Sequence, residues 1–103
     1  MADELPVPVK TALRKLGGDI RDARLRRRIP VKVMAQRTQV TRMTLYKLER
    51  GDPNVAVGTY ATALFVLGMI DRFAEIAGAR FDVLGLGLDE ERLPKRIRSR
   101  KVT

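Results

Sequence analysis

The sequence predicts an all-α domain of five helices with a short C-terminal extension, on the basis of three observations. Apolar residues recur every three or four positions through most of the chain, which is the spacing of one face of a helix. Residues that start or end helices, among them Pro30, Gly51, Gly68 and Gly78, separate these periodic stretches. Residues 81–84 alternate between apolar and polar side chains as in a β-strand, but the sequence offers no second strand to pair with them.

Composition excludes several classes of function. A chain of 103 residues is large enough for one hydrophobic core and not for two. It contains no cysteine and no histidine, which excludes disulfides, thiolate chemistry, zinc sites and imidazole catalysis. The acidic residues are scattered, without a metal-spaced cluster, a phosphate-binding glycine loop or a base–nucleophile pair. We expect no enzyme activity, no catalytic residues, no metal and no cofactor.

The sequence predicts neither export nor membrane insertion. The first residues are acidic and contain proline, which is unlike the basic and then apolar start of a signal peptide. The longest apolar run, Tyr60 to Ile70, is well short of the roughly 20 residues that span a bilayer, and it fits a core helix instead. We expect a cytoplasmic protein without a membrane partner.

The chain is predicted to divide into three parts. Residues 1–10 are expected to form a flexible arm, because Pro6 and Pro8 favour extended backbone. Residues 11–78 are expected to form the folded domain. Residues 79–103 then make a C-terminal extension and a basic tail. The tail, from Lys95 to Lys101, is expected to stay disordered until it meets phosphate.

The first helix is predicted between Thr11 and Arg28. Gly17 and Gly18 each weaken its middle by about 1 kcal/mol relative to alanine, so regular helix is expected to begin only near Leu16. The apolar residues at helical spacing in this segment are Leu13, Leu16, Ile20 and Ala23.

The stretch from Ile29 to Gly51 is predicted to form two short helices joined by a tight turn. Pro30 precedes the first helix, where its fixed φ is favourable and its missing N–H costs nothing. Thr41 can cap the second helix by accepting a hydrogen bond from the N–H of Met43 or Thr44, and Gly51 with the following Asp-Pro ends that helix. The residues expected to face the core are Ile29, Val33 or Met34, Ala35, Val40, Leu45 and Leu48.

The second of these helices has a cationic outer face, and the charge of the whole chain concentrates nearby. Of a net charge of +9, residues 10–50 carry +10, whereas residues 51–94 carry −4. A solvated basic surface would explain the net charge but not its coincidence with this pair of helices, so we expect a polyanionic partner. The outward residues are Arg42, Met43, Thr44, Tyr46, Lys47 and Arg50.

At these residues the chain resembles the Cro and phage-repressor type of helix-turn-helix regulators, the XRE family. The resemblance covers roughly Leu16 to Leu67. It departs from the family pattern at Gln39, where the turn usually has glycine, so Gln39 is expected to adopt a left-handed or near-left-handed backbone. It also departs at Val31, where the family often has a phosphate-contacting glutamine. The residues that carry the resemblance are Ala35, Val40, Thr41, Thr44, Leu45, Leu48, Glu49, Arg50 and Gly51.

The resemblance implies a lambda-repressor-like fold and a repressor that binds double-stranded DNA as a homodimer on an inverted repeat, in association with the nucleoid. It implies a structural ion pair between Arg24 and Glu49. Arg42, Met43 and Lys47 are expected along the groove floor, with Arg50 at the phosphate backbone; Tyr46 is expected to contact the backbone or to pack. The residues predicted to contact DNA are Lys32, Thr41, Arg42, Met43, Thr44, Tyr46, Lys47 and Arg50.

Two further helices complete the predicted domain. The fourth, Thr59 to Leu67, is expected to bury Tyr60, Ala63, Leu64 and Leu67, and to leave Phe65 and Val66 either for dimerisation or for a small second core. The fifth is expected to start at Asp71, to bury Phe73 and Ile76, and to end at Gly78. Residues 81–84 are then predicted either as a strand that pairs with a second subunit or as irregular chain, and residues 89–92 as a short helical turn before Pro94.

Two finer predictions concern partners. The stretch VAVGTYATALFVLG, residues 55–68, and the closing LPKRIR, residues 93–98, resemble small antitoxins of the HipB type, which implies a kinase-type toxin protein as a partner. The alternative, from another class of function, is a protein-interaction or coactivator module that uses the same fold without direct base readout. Such a module would not need Arg42 and Lys47 at groove-reading positions.

Overall fold

The computed structural model describes the backbone of residues 4–100 and the side chains of residues 4–91. Within this part of the chain every regular element is helical, which confirms the all-α prediction. The α-helices are α1 (Val7–Arg26), α2 (Val31–Thr38), α3 (Arg42–Glu49), α4 (Val57–Val66), α5 (Ile70–Ala74) and α6 (Val83–Arg100), with a 3-10 turn at Ala79–Phe81. The chain divides into two compact units, one up to Phe73 and one from Ala74.

The predicted arm is wrong for residues 7–10, because α1 begins at Val7, and residues 1–3 lie outside the described residues. Pro6 is its N-cap and Pro8 lies in its first turn, where the fixed φ of proline fits a helix and its missing N–H removes no intrahelical bond. The N–H groups of Val9 and Lys10 donate to the Pro6 carbonyl at 3.0 and 3.1 Å, which closes this first turn. The start predicted near Leu16 is wrong for the same reason, since the helix continues through both glycines.

The hydrophobic core of the first unit is built mainly from α1 to α4. Helix α1 packs against α3, and α2 packs against both α3 and α4. Val40 and Phe73 lie partly buried at the margin of the core. The predicted apolar faces of α1 to α4 are confirmed. The buried apolar residues are Ile20, Ala23, Met34, Ala35, Leu45, Leu48, Tyr60, Ala63, Leu64 and Leu67.

In the fourth and fifth predicted helices, two residues differ from the prediction in how far they are buried. Val66 packs against the core, so only Phe65 of the predicted pair remains largely exposed. Helix α5 ends at Ala74, and Ile76 beyond it has 66% of its surface exposed, so the prediction that Ile76 is buried is wrong. A helix of five residues is too short to carry a second core-facing turn as far as Ile76.

The predicted strand at residues 81–84 is also wrong, because α6 begins at Val83. The Asp82 carboxylate accepts a hydrogen bond from the Gly85 N–H at 3.0 Å, and the Asp82 carbonyl accepts one from the Leu86 N–H at 2.9 Å. These bonds start a helix where the sequence pattern suggested alternation. The helical backbone then continues through Pro94 to Arg100, so the predicted disorder of residues 95–101 is not found for residues 95–100, and residue 101 lies outside the described residues.

Candidate nucleic-acid interface

Helix α3 has one buried side and one exposed side. Leu45 and Leu48 are completely enclosed by the core, and Glu49 is only 8% exposed. The residues on the other side project from the protein, with Met43 at 60% and Tyr46 at 45% exposure. Arg42, Lys47 and Arg50 are exposed as well. The helix therefore presents three cations, one thioether and one phenol on a single outer face.

The start of α3 is closed by its own threonines. The Thr41 hydroxyl oxygen accepts a hydrogen bond from the Thr44 N–H at 3.1 Å, which confirms the predicted N-cap, and the Thr41 hydroxyl also lies 3.1 Å from the Thr44 hydroxyl oxygen. Thr41 is exposed whereas Thr44 is half-buried. Both threonines thus fix the first turn of α3 and hold Arg42 and Met43 at its outer end.

The connection between α2 and α3 is tight because Gln39 adopts a left-handed backbone. Its φ is +64°, a left-handed value that a residue other than glycine seldom adopts. The Gln39 N–H donates to the Gln36 carbonyl at 3.1 Å, and the Val40 N–H donates to the Ala35 carbonyl at 3.0 Å. These two bonds turn the chain within a few residues and fix the angle between the two helices.

A buried ion pair holds α3 to α1. Arg24 Nε donates to Glu49 Oε2 at 2.7 Å and Arg24 Nη2 donates to Glu49 Oε1 at 3.0 Å, a bidentate geometry. Arg24 Nη1 donates in addition to the Ile29 carbonyl at 3.0 Å, which places the segment leading into α2. The hydrogen bonds to Glu49 raise the pKa of the Arg24 guanidinium above its ordinary value, despite the opposing effect of burial. The pairing implied by the family resemblance is therefore present.

Lys32 lies apart from the α3 residues, in the first turn of α2, and is exposed. Its helix begins after Pro30 without a side-chain cap, and α4 begins after Ala56 in the same way. The first N–H groups of both helices are therefore left without a side-chain acceptor from the cap residue. A helix N-terminus of this kind favours a negatively charged oxygen.

One feature of this surface was not predicted from the sequence. A depression of about 260 Å³ lies between α3 and the start of α4, with Thr44 and Lys47 on one side and Thr59 on the other. Asp52 forms part of its wall and accepts a hydrogen bond from the Asn54 N–H at 2.8 Å. The Asp52-Pro53-Asn54 sequence signals a turn, but not that this turn would lie beside Lys47.

Tyr60 anchors that loop from the core side. Its hydroxyl donates to the Asp52 carbonyl oxygen at 2.8 Å, and the residue is only 3% exposed. Burial, with a smaller contribution from the negative charge of Asp52, raises the pKa of Tyr60 to about 12. The tyrosine is therefore neutral at ordinary pH and holds the depression in shape.

Comparison with protein-family profiles, with curated proteins and with solved structures finds no match to this chain. No helix in the described part of the chain combines the length and the apolar character that a membrane crossing requires. Among the described side chains, His, Cys, Asp and Glu form no cluster that could hold a metal ion. The site must therefore be interpreted from its own geometry and charge.

Proposed function

We propose that this protein is a sequence-specific DNA-binding transcriptional regulator, a repressor with a lambda-repressor-like fold, in which α3 is the recognition helix. One observation carries the proposal: α3 is fixed by a buried core side and presents Arg42, Met43, Lys47 and Arg50 on its exposed side. The major groove of B-DNA is wide enough for one α-helix, and its base edges offer acceptors that suit arginine and lysine.

The surroundings of α3 support the same orientation. The N-termini of α2 and α4 both lack a side-chain cap. Lys32 lies in the first turn of α2, and Lys47 lines the depression beside the start of α4. Helix N-termini with neighbouring cations are suited to phosphate oxygens. In this arrangement α3 reads bases while α2 and α4 contact the sugar–phosphate backbone. The chain acts without catalysis and without a cofactor, and it works at the nucleoid.

A single recognition helix contacts too few base pairs for specificity, so the proposal includes a dimer on an inverted repeat. Two half-sites in register are separated by about 34–36 Å, one helical turn of DNA. Inserting half a helical turn between the half-sites places the second half-site on the opposite side of the duplex, and affinity is expected to fall toward that of one half-site. Unchanged affinity after the insertion would contradict the dimeric arrangement.

The main test is selection of bound sequences from random duplex DNA by the full chain. We expect the parent protein to enrich an inverted repeat. The double variant Arg42→Ala with Lys47→Ala should enrich no sequence, and its circular dichroism spectrum should show that it is still folded. The double variant Lys15→Ala with Arg21→Ala is a matched control, because it removes two exposed cations from α1. Failure of the parent protein to enrich any sequence would reject base readout and favour the protein-interaction module.

A finer proposal is that the regulator is the antitoxin of a kinase-type toxin. It rests only on the resemblance of residues 55–68 and 93–98 to HipB-type antitoxins. It requires a kinase gene adjacent to the gene for this chain, and co-expression of the two proteins should relieve growth arrest by that kinase. A kinase whose toxicity is unaffected by co-expression would remove the antitoxin role and leave DNA binding untouched.

A further inference from the structure

Helix α6 has an apolar stripe along one face. Val83 is 80% exposed and Leu86, one turn further on, is 45% exposed. The spacing of three and four residues continues in the sequence through position 90 to positions 93 and 97, which are leucine and isoleucine. Alternating spacings of three and four over a helix are the pattern of a seam between two helices. Glu90 is the one polar residue within this stripe.

The order of charges along α6 restricts what can cover the stripe. Residues 89–91 are three acids, whereas residues 92–100 contain five lysines and arginines and no acid. The first half of the helix is therefore negative and the second half positive. A parallel copy would place like charges side by side, whereas an antiparallel copy places each acidic half against a basic half.

We propose that α6 pairs with α6 of a second copy of this chain in antiparallel orientation. Positions 89 and 96 flank the apolar stripe on the same side of α6. In an antiparallel pair of helices, this side of one helix lies next to the same side of the other, so the two positions face each other. Position 89 of one copy therefore lies opposite position 96 of the other, an acidic residue against a basic one in the sequence, and the symmetry of the pair repeats this pairing. Gly87 lies on the other side of the stripe, and its lack of a side chain allows the helices to approach closely there.

Glu90 has a defined consequence in this arrangement. A polar residue within an otherwise apolar seam lowers the stability of the pair but restricts its register. In parallel register the two Glu90 residues would be directly opposite each other, whereas antiparallel pairing offsets them along the axis. This inference goes beyond DNA binding, because it assigns a self-association surface that can be measured without DNA and that would survive failure of the DNA-binding proposal.

The apolar seam is tested by sedimentation of the full chain over a range of concentrations in the absence of DNA. The parent is expected to dimerise, and Leu86→Glu to weaken the dimer by at least about tenfold. Leu88→Glu is the matched control, because Leu88 has nearly the same exposure, 48% against 45%, and lies on the opposite side of the helix. It should leave the dimer unchanged. Circular dichroism of both variants verifies that the helices are retained.

The antiparallel orientation is tested by charge reversal. Asp89→Arg places arginine against arginine, and Arg96→Asp places aspartate against aspartate, so each variant alone should dimerise more weakly, by about tenfold. Mixing the two variants restores opposite charges at both contacts, and heterodimers should form with nearly the parental affinity. A single chain that carries both substitutions should also regain self-association.

Several outcomes would overturn the inference. A parent chain that sediments as a monomer at all concentrations, or a Leu88→Glu variant as weakened as Leu86→Glu, would show that the stripe is not the seam. A mixture of the two charge-reversal variants that dimerises no better than either alone would exclude the antiparallel contact. Unchanged self-association in every variant, with altered affinity for duplex DNA alone, would assign the basic half of α6 to phosphate instead.

Discussion

Gly17, in the middle of α1, lies against the backbone of Gly51, just beyond the end of α3. A Cβ atom on Gly17 would lie 2.6 Å from the Gly51 nitrogen and 2.5 Å from the Leu48 carbonyl oxygen, closer than side-chain atoms approach backbone. Gly51 in turn has a φ of +76°, and a Cβ on it would meet the backbone of Leu13. The two glycines let α1 pack directly against the end of α3.

This contact predicts opposite effects for two neighbouring substitutions. Gly17→Ala should lower the free energy of unfolding by about 1–3 kcal/mol, because the added methyl group meets backbone that cannot move aside without shifting α3. Gly18→Ala should raise it by about 0.5–1 kcal/mol, because alanine favours helix and no atom lies within 4 Å of the added Cβ. Urea unfolding of both variants measures the difference. Equal effects would show that α1 and α3 are not in close contact at Gly17.

The same pair of glycines shows what the sequence could and could not predict. The sequence correctly predicted the buried faces of α1 to α4 and the Thr41 cap, because each depends on residues close together in the chain. The left-handed backbone of Gln39 was expected from the family resemblance alone, and the structure has it. Helix propensity alone predicts that Gly17 is a weak point in a helix. The contact that requires glycine at this position is with Gly51, which is far away in the sequence. A contact between distant backbone segments leaves no periodic signal in either segment.

The errors at the two ends of the chain have a local cause. Proline disfavours the interior of a helix but is tolerated in its first turn, so Pro6 and Pro8 were equally compatible with an arm and with the start of α1. A run of four apolar and polar residues, as at 81–84, does not distinguish a strand from the beginning of a helix. At that position the hydrogen bonds that Asp82 accepts start a helix.

The ion pair between α1 and α3 predicts a large loss of stability when it is broken. Glu49→Ala strands the Arg24 guanidinium, which is 5% exposed, and should lower the free energy of unfolding by roughly 3 kcal/mol. Arg24→Met combined with Glu49→Leu should recover much of that loss, because no charge is left buried. Asp19→Ala is the control, since it breaks the exposed pair with Lys15 and should cost less than about 1 kcal/mol. Equal melting of Glu49→Ala and the parent would contradict the role of this pair.

The buried phenol of Tyr60 predicts a loss of stability at alkaline pH. Its pKa is about 12 in the folded protein, against about 10 for an unperturbed tyrosine. A raised folded-state pKa means that the folded state holds its proton more tightly. The resulting stability is fully present below about pH 10 and is lost as the pH rises toward about 12. We expect this loss to amount to about 2 kcal/mol for the parent.

Two conservative variants isolate this effect from the titration of the lysines and arginines. Tyr60→Phe should be less stable than the parent by about 1 kcal/mol at neutral pH, because the bond to the Asp52 carbonyl is lost, and it should lose less stability between pH 10 and 12. Tyr46→Phe removes an exposed phenol and should retain the parental pH dependence. If Tyr60→Phe and the parent lose stability equally steeply, the buried phenol is not the group that titrates.

Base reading and phosphate anchoring should separate along α3. Arg42 lies in its first turn and Lys47 lies further along the same exposed side, so in the proposed orientation both reach the groove floor. Arginine can bond guanine through O6 and N7 together, whereas lysine contacts the same atoms as a point charge. Loss of either side chain should therefore change which base is preferred at one position, at a cost of about 1–3 kcal/mol at that position.

Arg50 should behave differently, because it follows the last residue of α3 and, in the proposed orientation, lies level with the DNA backbone. A phosphate contact carries no base information, so Arg50→Ala should weaken binding to all sequences alike and reduce the slope of log affinity against log salt by about one. Each alanine variant is titrated against single-base substitutions of the selected site at two salt concentrations. If Arg42→Ala and Lys47→Ala weaken all sites uniformly while Arg50→Ala relaxes one base position, α3 enters the groove in the reverse direction, with its C-terminal end on the bases.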